Sequence, residues 1–174
     1  MRMTRAVSVV EVIVAVVILG LVAMLAIPRF GQAATSSSDP GENLRYDLRV
    51  LRLAIERYHQ DHGVFPAQQG DGTHAAGTPE AFVAQLTRFT DASGHAAPVA
   101  DATHNLGPYL RDGIPRCPVP PHSGMVGVCI VHEDHPQPAV QVSEPAGWLY
   151  NPETGSIAPN SEAADADGHP YASF

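Results

Sequence analysis

The sequence predicts an α+β fold in which a long N-terminal hydrophobic helix leads into a small antiparallel β-sheet. Three observations predict it: an apolar segment within the first thirty residues, an amphipathic helical pattern from residue 39 to 63, and a hairpin pattern that ends near residue 158. With 174 residues and 44% apolar composition, the chain has room for one hydrophobic segment and one small globular domain.

The apolar segment runs from Val7 to Ile27 and is interrupted only by Ser8, Glu11 and Gly20. As a helix it would measure about 31 Å, which is the thickness of a bilayer's hydrocarbon core. Two arginines precede it, so the positive-inside rule places the N-terminus in the cytoplasm. The pattern predicts a membrane span with the rest of the chain on the outer side.

Glu11 distinguishes this segment from a cleaved secretory signal and from an ordinary membrane anchor. A carboxylate in an apolar span costs roughly 2.5–3.5 kcal/mol at the membrane centre. Ordinary signals and anchors have no reason to carry that cost, so we expect Glu11 to have a partner.

The residues around Glu11 resemble the prepilin motif, in which a peptidase cuts before an apolar residue and Glu is fifth in the mature chain. The matching stretch is Arg-Ala-Val-Ser-Val-Val-Glu-Val-Ile, residues 5–13. A cut after Ala6 places Glu11 at the fifth mature position, and Pro28 becomes the twenty-second mature residue, where pilins often carry a helix-kinking proline. The chain departs from the family at Ala6, where Gly is preferred, and at Val7, where Phe or Met is usual.

Two further stretches, 43–66 and 147–160, resemble the major pseudopilins of type II secretion. The resemblance implies a pilin-like fold, with a spine helix whose C-terminal half packs on a small antiparallel sheet. It implies a prepilin leader at 1–6, a transmembrane and assembly helix at 7–30, a flexible linker or helix break at 31–41, and a periplasmic globular domain at 42–174.

The resemblance implies a non-catalytic subunit of a type II secretion pseudopilus, inserted in the bacterial inner membrane and polymerised into a fibre that drives protein export. Val7 would be N-methylated after cleavage, and Glu11 would pair with the Val7 amine of a neighbouring subunit. The implied partners are further copies of the chain, other pseudopilins, prepilin peptidase and the inner-membrane secretion assembly platform. The alternatives are a major or minor type IV pilin, and a monomeric membrane-anchored periplasmic binding domain.

Local patterns predict the elements of the C-terminal domain. Asp39, Pro40 and Glu42 form a helix start, and Gly63 with Pro66 ends that helix. A second helix begins at Thr78. The residues expected on the buried faces of these two helices are Leu44, Leu48, Leu51, Ile55, Tyr58, Phe82, Leu86 and Phe89. We expect a surface loop over 90–105, and strands over 125–132, 139–142, 147–150 and 156–158, the last two as a hairpin.

Few residues suggest a ligand or a covalent link. Cys117 and Cys129 could form a disulfide, which would contribute roughly 2–4 kcal/mol. His59 with His62, and His132 with His135, lack the further ligands that zinc requires. Asp165 and Asp167 are calcium candidates by resemblance, although they supply only two of the six to eight oxygens that calcium takes. No cofactor is required by the sequence.

The sequence offers no basis for an enzyme or for a nucleic-acid ligand. It has no Gly-x-Ser-x-Gly elbow, no lysine and no phosphate-binding glycine motif,. The net charge is −8, and without a basic stripe there is nothing to attract phosphates. We therefore expect neither catalysis nor nucleic-acid binding.

Overall fold

The structure is a computed structural model that describes residues 39–132 and 145–174. The described part combines two α-helices, a two-stranded sheet and a three-stranded sheet. The elements in chain order are α1 (Pro40–His62), α2 (Pro79–Thr87), β1 (Phe89–Thr90), β2 (Ala96–Ala97), β3 (Val128–Ile130), β4 (Trp148–Tyr150), β5 (Ile157–Pro159) and a 3₁₀ turn (Tyr171–Ser173).

Helix α1 begins and ends where the sequence predicts. The Asp39 side chain accepts the N–H of Gly41 at 3.1 Å, and Pro40 occupies the first helical position, where a missing N–H costs nothing. At the other end Gly63 adopts a left-handed φ of 73° and donates its N–H to the carbonyl of His59 at 2.8 Å. A residue with a Cβ would be strained in that conformation.

One face of α1 forms the centre of the hydrophobic core. All five apolar residues predicted for this face are at most 3% exposed: Leu44, Leu48, Leu51, Ile55 and Tyr58. They belong to one cluster with Phe82 and Leu86 of α2 and with Trp148 and Tyr150 of β4. The predicted core stripe of α2 ends earlier than expected, because Phe89 lies beyond the helix, in β1, and is half-buried.

The three-stranded sheet is mixed, which corrects the prediction of a purely antiparallel sheet. β4 and β5 are antiparallel, as expected of a hairpin with a short turn, and Leu149 faces Ala158. β3 runs parallel to β4, with Cys129 opposite Leu149. A long connection joins β3 to β4, so local turn geometry does not force an antiparallel pairing.

Other strand predictions differ in extent. β3 covers three residues, fewer than the predicted 125–132, and the segment predicted as a loop at 90–105 contains the β1–β2 pairing. The strand predicted at 139–142 lies outside the described residues.

The hairpin aromatics are structural, as predicted. Trp148 and Tyr150 are fully buried. The Trp148 indole N–H donates to the carbonyl of Pro115 at 2.9 Å, and the Tyr150 hydroxyl donates to the carbonyl of Pro66 at 3.0 Å. In each residue the ring is buried and its polar atom makes a hydrogen bond to a backbone carbonyl.

The predicted localisation, a single-pass protein of the bacterial inner membrane with a periplasmic domain, is contradicted. Among residues 39–132 and 145–174, no helix combines the length and the apolar character needed to cross a membrane. The segment 7–27, on which the predicted span rested, lies outside the described residues, as do residues 31–38 of the linker or helix break predicted at 31–41.

Replacing Leu48 by Ala tests the role of the α1 face. Leu48 is 1% exposed, whereas Leu53 on the opposite side of the helix is 50% exposed. We expect Leu48→Ala to lower the free energy of unfolding by about 2–5 kcal/mol, and Leu53→Ala to change it by no more than about 0.5 kcal/mol. Denaturant unfolding monitored through Trp148 fluorescence measures both, and equal losses would contradict this account of the core.

Candidate functional site

The residues predicted to govern processing and assembly are not placed by the structure. Ala6, Val7, Glu11 and Pro28 all lie outside the described residues, so their roles remain predictions.

The two cysteines are not joined by a disulfide in the structure. Cys117 is buried and its thiol donates to the carbonyl of Val119 at 3.7 Å, while the half-buried Cys129 donates to the carbonyl of Ile130 at 3.8 Å. Burial raises the pKa of the Cys117 thiol, which makes it a poor nucleophile. The disulfide considered from the sequence is therefore not formed here.

The calcium candidates Asp165 and Asp167 do lie together, with His169 as a third neighbour. One ligand atom from each falls within 4.8 Å of the others. The Asp165 carboxylate is already occupied, because one oxygen accepts the N–H groups of Asp167 and His169 and the other lies 3.9 Å from the Arg45 guanidinium. Two carboxylates and an imidazole beside an arginine do not resemble an all-oxygen calcium cage, so calcium binding remains an untested prediction.

Four loops share one hydrogen-bonded arrangement, which we call the Asp–His turn. In each, one carboxylate oxygen of the aspartate accepts two backbone N–H groups, including that of the histidine. The other oxygen contacts the histidine Nδ1, at 2.8 to 3.3 Å, and the aspartate N–H donates to the histidine carbonyl. The four pairs are Asp71–His74, Asp91–His95, Asp101–His104 and Asp165–His169.

The Asp–His turns occur in two lengths. Asp71 and Asp101 precede their histidines by three positions, whereas Asp91 and Asp165 precede theirs by four. In the longer form the extra residue before the histidine is a glycine with a left-handed φ, 80° at Gly94 and 86° at Gly168. Glycine adopts a left-handed φ without steric cost. The longer turn therefore closes with the same hydrogen bonds as the shorter one.

Hydrogen bonding keeps the four carboxyls ionised. At Asp71, which is 2% exposed, burial alone would raise the pKa, but bonds from His74 and Thr73 outweigh it and the pKa lies below the usual range. At Asp91 burial also raises the pKa, but hydrogen bonds from His95 and Ser93 outweigh it, so the pKa is lowered. At the exposed Asp101 and the half-buried Asp165, the backbone N–H of the paired histidine is the main reason that the pKa is lowered,.

A buried amide links two of these turns to α2. Gln85 is fully buried, and its amide oxygen accepts the N–H of Ala67 at 2.7 Å. Its amide nitrogen donates to the carbonyls of Gln69 and Gly94 at 3.2 and 3.1 Å. One side chain therefore holds the loops that carry Asp71 and Asp91 against the core.

Gly94 also permits a close approach to the core. A Cβ at this position would clash with the hydroxyl oxygen of the buried Tyr58. That hydroxyl has no hydrogen-bond partner among residues 39–132 and 145–174. Tyr58 instead stacks its ring on His62 with centroids 3.9 Å apart.

The histidines singled out from the sequence have structural contacts. The His62 ring contacts the Thr90 hydroxyl and the Asp91 carbonyl, both at 3.1 Å, while the His59 ring stacks on Phe65. His132 lies 3.8 Å from the Glu153 carboxylate, and His135 is outside the described residues. His59 and His62 therefore face different surroundings rather than a common ligand.

Sequence reasoning missed the Asp–His turns, although a signal was present. The spacings Asp-x-x-His and Asp-x-x-Gly-His each occur twice among the described residues. Comparisons of the chain with protein-family models, curated protein sequences and solved structures gave no match.

Replacing Asp71 by Asn tests the buried turn through its pH dependence. Because the folded-state pKa is lowered, the stabilisation is complete above the unfolded value of about 3.9 and is lost as the pH falls through the folded pKa. We expect Asp71→Asn to lower the free energy of unfolding by about 1–3 kcal/mol at pH 7. The difference in free energy of unfolding between the wild type and the variant should become smaller below about pH 4.

Urea unfolding at a series of pH values measures this gap. The matched control is Asp101→Asn, which alters an exposed turn of the same length and is expected to have a smaller effect. A gap for Asp71→Asn that stays constant from neutral to acidic pH would contradict the assigned role of the carboxylate.

Proposed function

We propose that this chain is a structural subunit of a helical fibre of the type II secretion pseudopilus kind, whose growth drives protein export. The observation that carries the proposal is the agreement of two spacings. A single cut after Ala6 places Glu11 fifth and Pro28 twenty-second in the mature chain, both as in the prepilin family.

The chemistry of Glu11 supports an assembly role. Cleavage would free a cationic amine on Val7, and packed apolar segments would form the fibre core. In such a core an unpaired carboxylate is strongly destabilising. Pairing with the amine of a neighbouring subunit offsets the desolvation cost of its charge. The pair would therefore favour one axial register between subunits.

The domain that follows is compatible with this role. A helix with one buried face packs against a small sheet that ends in an aromatic hairpin, the kind of unit the resemblance implies for the fibre surface. A fibre of identical subunits needs a head-to-tail contact between them. The rotation that relates one subunit to the next must not close the assembly into a ring.

Replacing Glu11 by Gln tests the proposal. We expect the wild-type chain, isolated from the cells that produce it, to begin at a methylated Val7 and to form sedimentable polymers. Glu11→Gln should keep the cleavage and lose roughly tenfold or more of the polymer, because removing one member of a buried ion pair costs about 3–5 kcal/mol.

The matched control is Glu162→Gln, which makes the same charge change at an exposed position of the C-terminal domain and should leave polymer formation unchanged. Intact mass, N-terminal sequencing and sedimentation provide the measurements. An N-terminus at Met1 or near Thr35, or polymer yield independent of Glu11, would contradict the proposal.

A further inference from the structure

The exposed side of α1 carries a groove that combines arginines with apolar side chains. The groove has a volume of about 560 Å³. Its lining includes Arg45, Arg49, Arg52, Glu56, Leu53 and Phe174. The three arginines are spaced by four and three positions, so the helix presents all of them on one side.

Part of this groove already holds a segment of the chain itself. The Cζ atom of Arg45 lies 4.1 Å from the centroid of the Phe174 ring, and its guanidinium lies 3.9 Å from the Asp165 carboxylate. Arg52 donates to the main-chain oxygen of Phe174 at 2.8 Å. Two arginines thus hold an aromatic ring, a carboxylate and a main-chain oxygen of one short segment.

Arg49 lies between these two arginines and takes no part in that contact. In the part of the chain that the structure describes, its guanidinium makes no hydrogen bond or ion pair. Leu53, one helical turn further along, is 50% exposed. A guanidinium has five N–H donors, so Arg49 and Leu53 together extend the surface that Phe174 covers in part.

The chemistry of the groove favours an acidic peptide over a free anion. An arginine can bind a carboxylate through two parallel hydrogen bonds. A small anion would leave the Leu53 side chain in water, whereas an apolar side chain of a peptide can cover it. The chain has a net charge of −8, so an acidic partner is attracted to the arginines of the groove rather than to the surface in general.

We propose that Arg49 and Leu53 bind an acidic segment of another protein, with a carboxylate on the Arg49 guanidinium and a neighbouring apolar side chain on Leu53. The chain's own segment places the Asp165 carboxylate and the Phe174 ring on Arg45 in the same combination. This site goes beyond the proposed role in a fibre and does not depend on it.

Fluorescence anisotropy with the full-length chain tests the proposal. The probe is a short fluorescein-labelled peptide with one phenylalanine flanked by glutamates, and its control peptide has glutamine in place of each glutamate. We expect the acidic peptide to bind saturably and the control peptide to bind at least about tenfold more weakly. Inorganic phosphate at the same concentration should not displace the acidic peptide.

Variants of α1 locate the binding. Arg49→Gln and Leu53→Ala should each weaken peptide binding at least about fivefold, because each removes one of the two anchors. Arg57→Gln is the matched control, since it removes the same charge from an exposed position of α1 that does not line the groove. It should leave the affinity within about twofold of the wild type, because an exposed charge outside the contact is screened by solvent and salt.

Several outcomes would overturn the proposal. They are the absence of saturable binding up to about 1 mM peptide, equal binding of the two peptides, displacement by phosphate, and an equal loss of affinity in Arg49→Gln and Arg57→Gln. Self-association of the chain that Arg49→Gln abolishes, or binding to phosphatidylglycerol vesicles without binding to the peptide, would assign the groove to a different occupant and would also overturn it.

Discussion

The buried face of α1 is the constraint on which the rest of the domain depends. The strands that pack near it are two or three residues long, and isolated strands of this length are not stable in water. They persist because Trp148, Tyr150 and Ile157 share one apolar cluster with the leucines of α1. The helix thus supplies the apolar surface that the short strands cannot provide for each other.

The second constraint concerns the long connections. Their backbone N–H and C=O groups need hydrogen-bond partners that no helix or sheet provides. The Asp–His turns meet this need locally, because each engages four backbone and two side-chain hydrogen-bonding groups within four or five residues. Gln85 answers it at longer range by bonding to Ala67, Gln69 and Gly94 at once. A buried amide is favourable only when it is fully bonded, so these loops and α2 hold one another in place.

Prediction from the sequence succeeded where the determinants are local. The limits of α1 follow from Asp39, Pro40 and Gly63, and its buried residues follow from their helical spacing. The parallel pairing of β3 with β4 could not be predicted, because a long stretch of sequence separates the two strands and no local turn signal specifies their pairing,. The Asp-x-x-His spacing was readable in the sequence, but the position of His74 and His95 along one surface depression depends on tertiary contacts around Gly72 and Gln85.

The Asp–His turn itself carries a consequence for protein engineering. It forms at residues 71–74, where the aspartate is buried, and at residues 101–104, where the aspartate side chain is 55% exposed. Since its hydrogen bonds are internal, its geometry owes little to what surrounds it. A segment of this kind is portable: it can be grafted into an unrelated loop as a ready-made holder for an imidazole with a defined tautomer.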